Sequence, residues 1–377
     1  MPDSADAGRE LARQIEASLG GPPAAIILFA APDYDHETLI RALRDASGYP
    51  IVVGASSAGE FMNEQRGEGL ACALALAGED ARFAAVCGRG VKADPVAAAR
   101  DLAAGLAGMA DLASGHRTAL VMTDALAGHA DVLVDELTLA TAGQYQFFGG
   151  GAGDNAQFQR TTVFCNDEVL TDAAVALEIL SDRPIGIGVS HGWLPASQGF
   201  RVTEADGMRL ISLNGVPAAE AFHGHAETTG QSLDPAAPIP FFLHNILGID
   251  TGAGHRLRVP LAIDADGGVL CASEIPVGAV VHVMRSTSQS SVDAAENATD
   301  AALGALGDHK PAAALFFDCV ATRLRMGDGF GREIAAVKER LGGIDLTGCN
   351  THGQIARAEG QFEGFHNCTA VVCVLPQ

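Results

Sequence analysis

The sequence predicts an α/β fold in which repeated strand-helix-strand-hairpin units form a mixed-sheet body carrying a mostly β insert. Three observations lead there. A short apolar run, a helix-like stretch and a second apolar run recur three times along the 377 residues. Each copy then enters a turn of tiny residues closed by an acid or an amide: Gly54-Ala55-Ser56-Ser57-Ala58-Gly59-Glu60, Gly149-Gly150-Gly151-Ala152-Gly153-Asp154 and Gly348-Cys349-Asn350-Thr351-His352-Gly353-Gln354. Between the second and third copies, over residues 184–288, helical periodicity fades while glycine, proline and β-branched residues rise.

Each unit opens with an additional helix. Residues 6–19 set Leu11, Ile15 and Leu19 four apart, and Gly20-Gly21-Pro22-Pro23 stops the helix. Comparable helices are expected at 95–112 and 292–306. Apolar strands follow at 24–31, 118–123 and 311–317, and amphipathic helices at 36–46, 129–140 and 333–341. Strands at 50–53, 146–148 and 344–347 lead into the glycine turns. Beyond them, 70–77 with 82–86, 161–165 with 173–179, and 368–375 read as closing strands, the first two sets as hairpins. In the insert, Asp206-Gly207 and Asp266-Gly267 mark two further hairpins, a short helix is expected at 218–222, and 240–247 reads as a strand. The insert is expected to lie over the repeated body as a cap.

Bulk composition narrows the function classes. With 48% hydrophobic and 19% charged residues, this is a well-buried globular chain rather than a disordered one. Its 46 acidic against 24 basic residues give a net charge of −22, which repels phosphate backbones and anionic lipid. Nucleic-acid binding and membrane insertion are therefore not expected. No run approaches the roughly 18 apolar residues of a spanning helix. The acidic start Met1-Pro2-Asp3 lacks an export signal, so a cytoplasmic location is expected. The eight cysteines include no Cys-x-x-Cys pair and read as buried, reduced thiols; Cys349, inside a glycine turn, is the one to test for reactivity.

Several motifs carry candidate chemistry. Gly188-Val189-Ser190-His191-Gly192 has the form of a hydrolase nucleophile elbow, but Trp193-Leu194-Pro195 follows where a helix should start. The alternative places Ser190, His191 and Trp193 around a pocket. His223 and His225, two apart, suit a loop histidine pair better than a helical metal site. His244 stands in the apolar run Phe241-Phe242-Leu243-His244, as a core histidine or an axial haem ligand, and His352 projects from a glycine turn as the other haem candidate. The glycine turns contain no lysine or arginine, which argues against phosphate cradling. Their acids suit a cation, an amine or an amino-acid ammonium group. The competing reading is that the glycines only let backbones cross closely.

Taken together, Val52-Val53-Gly54-Ala55-Ser56-Ser57-Ala58-Gly59-Glu60, Gly149-Gly150-Gly151-Ala152-Gly153-Asp154-Asn155, Gly188-Val189-Ser190-His191-Gly192-Trp193 and the closing turn with His366-Asn367-Cys368-Thr369 resemble the FIST family. The resemblance runs from about residue 24 to the end. With the N-terminal helix placed at 1–22, it implies a FIST N-terminal domain at 23–183 holding two units, and a FIST C-terminal domain at 184–377. The last holds the insert (184–288) and the third unit (289–377). It also implies a non-enzymatic sensory protein for a small ligand, with amino acids or related metabolites proposed. Its signal would pass to a separate histidine kinase or cyclic-dinucleotide signalling enzyme. A subset, the NosP type, binds haem and senses nitric oxide. His352 and Gln354 depart from the aromatic residue and glutamate expected in the last turn. The expected ligand-lining residues are Gly54, Ser56, Ser57, Gly59 and Glu60 from the first turn, and Gly150, Gly153, Asp154 and Asn155 from the second. His191 and Trp193 join them, with Asn350, Thr351, His352, Gly353, Gln354 and Asn367. This set requires the three turns to meet around one cavity.

Overall fold

The computed structural model describes residues 3–63, 65–78, 80–110, 115–358 and 364–377. Each repeat is a strand-helix-strand unit with parallel strands. Ala25–Ala30 pairs with Ile51–Ser56 across the helix His36–Ser47, and His116–Thr123 pairs with Gln146–Gly151 across Ala130–Ala140. In the third unit Pro311–Cys319 pairs with Asp345–Thr351, through the helices Val320–Met326 and Gly331–Leu341. The middles of these strands are mostly apolar because both faces are covered. Helix ends follow local chemistry: Asp35 accepts from the Thr38 amide, and Gly48 closes the same helix at φ 80°.

The three units exchange hairpins in a closed ring. The hairpin of Glu60–Met62 and Gln65–Gly67, from the first unit, adds to Asp345–Thr351 of the third. Gln354–Arg357, with Phe365–His366, adds to Gln146–Gly151 of the second, and Val163–Cys165, with Glu168–Leu170, adds to Ile51–Ser56 of the first. Each exchange covers a strand edge that would otherwise stay unpaired. Inner faces of all three sheets share one core, in which Phe29 meets Phe317 edge to face at 5.5 Å and Phe148 lies 6.3 Å from Phe317. Helices cover the outer faces.

The mixed α/β expectation holds, with local differences. The strands expected as hairpins separate: Ala71–Leu76 pairs with Ala25–Ala30, whereas Ala81–Arg89 crosses to pair with Ala173–Ser181 of the second unit. The strands entering the glycine turns extend through their first glycines. The second opening helix stops at Gly105 and is followed by a 3-10 turn, Ala107–Met109; the expected end at 111–112 lies outside the described residues. Both insert hairpins form, Phe200–Asp206 with Arg209–Leu213 and Pro260–Ile263 with Val269–Cys271. They join an antiparallel sheet with its own core around Phe222, Phe242 and Val283. Gly186–Ser190 instead pairs with Ala370–Pro376 in the repeated body. The expected strand at 240–247 is a helical turn, Ile239–Phe242, followed by the strand Ile246–Asp250.

Candidate ligand-binding site

The three glycine turns do meet. Ala58 N donates to Asn350 O (2.9 Å) and Asn350 N to Gly59 O (2.8 Å). His352 N donates to Gly151 O (3.0 Å), Gly151 N to Gly353 O (2.9 Å), and Gly153 N to Ser56 O (2.8 Å). Their meeting point is backbone against backbone. A Cβ on Gly153 would stand 2.7 Å from Ala58 N, and one on Gly151 2.5 Å from the His352 carbonyl oxygen. Here glycine lets main chains cross closely. The hollow lies to one side.

A cavity of about 490 Å³ separates the loop ends of the body from the insert, a size typical of small-molecule pockets. The body contributes Thr123, Leu126, Asp131, Phe158, His352 and Asn367; the insert contributes Met208, Val259, Leu261 and Leu270. Most of the wall is apolar, yet four lining side chains hold buried polar atoms without a hydrogen-bond partner. These atoms are Thr123 Oγ1, Asp131 Oδ1, Asn367 Oδ1 and both ring nitrogens of His352. Buried polar groups are almost always paired, so unpaired ones on four side chains of one cavity wall make that wall the candidate site for a polar ligand. The His352 ring stacks on Phe158 at 4.8 Å, and its Nε2 is 3.8 Å from Asp154 Oδ1, beyond hydrogen-bond range. Burial pulls its pKa down to about 4, so the imidazole is neutral near pH 7.

Of the residues expected in the site, only His352, Gly353 and Asn367 line this cavity. Glu60 and Asn350 line a separate cleft of about 410 Å³ beside Arg323. Ser57 donates to Glu60, whose other oxygen accepts from the Leu70 amide at 3.0 Å. Ser56 Oγ accepts from Thr162 N at 3.0 Å. Asp154 accepts from the amides of Phe158, Gln159 and Arg160 and so closes its own loop. Asn155 holds that loop's turn at φ 56°. Gln354 donates to Thr351 Oγ1 at 2.9 Å and accepts from Thr369 N. Gly54, Gly59 and Gly150 each face a close neighbour: Leu28 O, Asn350 Oδ1 and Gly353 O respectively.

Burial raises the Glu60 pKa to about 7. The protonated form therefore favours the fold: its contribution is fully present below the ordinary value of 4.5 and is lost as pH rises through 7. Urea titrations from pH 5 to 8 should show stability falling in the wild type by on the order of 1–3 kcal/mol more than in Glu60→Gln. Equal slopes for the two proteins would contradict this.

His191 and Trp193 lie at the seam between body and insert. His191 Nε2 is 3.0 Å from His255 O, and Trp193 is buried beneath the Arg325 guanidinium at 5.3 Å. Ser190 ends its strand and leads into an extended segment, so the helix of a nucleophile elbow is missing. His223 and His225 sit on the helix Ala219–Thr229, longer than expected, with His225 held 3.1 Å from Asn245 Oδ1. Among the described residues no group of three or more His, Cys, Asp or Glu gathers as metal ligands. His244 is exposed on the turn after Phe242 rather than in the core, because a helical turn replaces the expected strand.

The sequence signal found the third turn but missed Thr123, Asp131 and Phe158. None belongs to the glycine pattern; Thr123 is the last residue of an ordinary apolar strand.

Fold and cavity define an α/β protein of three hairpin-exchanging units with a β insert facing a half-open cavity. Family comparison agrees: residues 24–216 match the FIST N domain and residues 218–357 the FIST C domain. The chain belongs to the FIST family, whose domains are sensory small-ligand-binding domains of signalling proteins. An uncharacterized protein of Mycobacterium tuberculosis is 24% identical over 263 residues, covering 68% of this chain and 67% of its own length. Another, of Mycobacterium bovis, is 27% identical over 230 residues, covering 59% and 58%. Among the described residues, no helix is long and apolar enough to cross a membrane.

Proposed function

We propose that the chain senses a small metabolite bound in the cavity beneath the insert, and relays its presence to a separate histidine kinase or cyclic-dinucleotide enzyme. The carrying observation is the set of unpaired polar atoms on Thr123, Asp131, His352 and Asn367 around an apolar wall. Two of these atoms, Asp131 Oδ1 and Asn367 Oδ1, only accept hydrogen bonds. They suit the ammonium group of an amino acid or related amine, and the apolar wall suits its side chain. Because body and insert both line the cavity, the ligand bridges them, and its differential contacts shift their packing. Thermal-shift screening against amino acids and amines tests this. A ligand at about 100 times its Kd adds about 2.7 kcal/mol to the folded state and raises the melting point. Thr123→Val and Asn367→Leu should each weaken binding about tenfold, the loss of one buried hydrogen bond, while Glu60→Gln leaves it unchanged. The reverse pattern would move the site to the Glu60 cleft.

A second reading has its own observation. The His352 imidazole is neutral, lacks a hydrogen bond and stands in an apolar, aromatic wall, which fits an axial haem ligand. Haem bound there would supply iron for a diatomic gas such as nitric oxide. His352 would hold the iron, and Lys92 and His129 of the lining would meet carboxylates. His244 lies outside this lining. The visible spectrum recorded on the same preparations decides: a Soret band altered by His352→Ala supports haem, and its absence after expression with haem removes it.

A further inference from the structure

One wall of the cavity holds a nucleophile that the ligand reading does not use. Cys319 ends the strand Pro311–Cys319 and lines the cavity. The pairing of this strand with Ala370–Pro376 ends at Phe317 and Val371, two residues before Cys319 and three after Cys368. The Cys368 thiol, the backbone amides of Ala321 and Cys368 and the Gln354 side chain all act to favour the Cys319 thiolate. Both cysteines are free and pack in one buried cluster with Trp193 and Val259. Cys368 holds a left-handed backbone at φ 49°, uncommon for a residue with a side chain.

Polar neighbours of this kind favour a thiolate. The Cys368 thiol is the largest influence, and together they hold Cys319 at about 6 against the opposing effect of burial. Cys368, by contrast, is pushed well above the usual thiol range by the same contact and by burial. Cys319 lines the cavity and Cys368 does not, although both belong to one buried cluster, so an oxidant entering the cavity meets Cys319 first. Cys87 and Cys165 also interact, but neither lines this cavity, and burial pushes Cys165 up to about 11.

We propose that Cys319 and Cys368 form a peroxide-responsive dithiol in the cavity wall, with Cys319 the attacking sulfur and Cys368 the resolving one. The Cys319 thiolate attacks one oxygen of hydrogen peroxide, the O–O bond breaks, and hydroxide leaves, giving a sulfenic acid. Cys368 then loses its proton and attacks that sulfur. The S–O bond breaks, the S–S bond forms and water departs, so peroxide is reduced by two electrons and the thiol pair oxidised by two. Because Cys319 lines the cavity, the cross-link alters its wall.

The test needs no ligand. Full-length reduced protein is treated with a few equivalents of hydrogen peroxide, free thiols are alkylated, and peptides are mapped by mass spectrometry. A Cys319–Cys368 disulfide that dithiothreitol reverses is expected, forming faster as pH rises from 5 to 7. Cys319→Ser should slow thiol loss about tenfold. Cys368→Ser should instead accumulate a dimedone-trapped sulfenic acid on Cys319, which keeps the test valid if Cys319→Ser folds poorly. Oxidation at Cys87–Cys165 in preference, or no dimedone adduct at Cys319 in Cys368→Ser, would overturn the proposal.

Discussion

Replacing Arg258 with methionine is expected to remove about 3–5 kcal/mol of stability, the usual consequence of stripping one partner from a buried ion pair. Arg258 closes the insert strand His255–Arg258 and is 1% exposed. Its Nη2 donates to Asp131 Oδ2 at 2.7 Å, its Nε to Glu274 O at 2.9 Å and its Nη1 to Leu257 O at 2.9 Å. Asp131 stands in the first turn of the helix Ala130–Ala140, where the helix dipole favours an acid. One guanidinium therefore fastens the roof to the second repeat at the edge of the cavity. Burial raises the Asp131 pKa, while Arg258 and Arg256 counteract that effect. Without Arg258 the carboxylate keeps only the weaker influence of Arg256, and two carbonyls lose a donor. Urea denaturation measures the loss. Arg258→Met with Asp131→Leu should recover most of it, since an apolar pair replaces an ionic one with little penalty. A change under about 1 kcal/mol in the single variant would mean that the roof is not latched here. Ligand affinity should fall in parallel, because Asp131 serves both the latch and the cavity.

The repeat was legible in the sequence because apolar runs and helical periodicity are local. Ile26 to Ala30, Leu39 to Leu43 and their counterparts each state their element within a few residues. The exchange of hairpins was not legible. Glu60–Met62 finds its edge at Thr347–Cys349, and nothing in either segment names the other. The glycine pattern pointed to the right region for a reason other than the expected one. Gly59, Gly151 and Gly153 bring three backbones together, and this crossing places His352 against the neighbouring hollow. Acids expected to meet a ligand turned inward instead: Asp154 binds its own loop amides, and Glu60 faces Ser57. Thr123 and Cys319 escaped notice because a strand-terminal residue gains its role only when the roof, folded from residues far along the chain, arrives over it.

The close packing of the parallel strands within each repeat yields the sharpest contrast between glycines. Leu28 pairs with Gly54, Val121 with Gly149 and Phe316 with Gly348, the same register position in each unit. A Cβ on Gly54 would stand 1.8 Å from Leu28 O; on Gly149, 2.1 Å from Val121 O; on Gly348, 2.1 Å from Phe316 O. None of these oxygens can move without parting two central strands. At Gly348 the new methyl would also stand 2.2 Å from the Phe61 ring, which belongs to the hairpin received from the first unit. Gly348→Ala therefore strains its own sheet and ejects the exchanged hairpin at once. It should cost at least about 3 kcal/mol, the upper end of ordinary overpacking. Gly54→Ala should fall somewhat below it. Gly224, on the helix Ala219–Thr229, has nothing within 4 Å of its missing Cβ. There alanine should stabilise by about 0.5–1 kcal/mol, through helix propensity alone. Thermal and urea unfolding of the three variants compares them directly. If Gly348→Ala were as stable as wild type, the strand Asp345–Thr351 would not be packed this closely against Phe316 and the exchanged hairpin of Phe61.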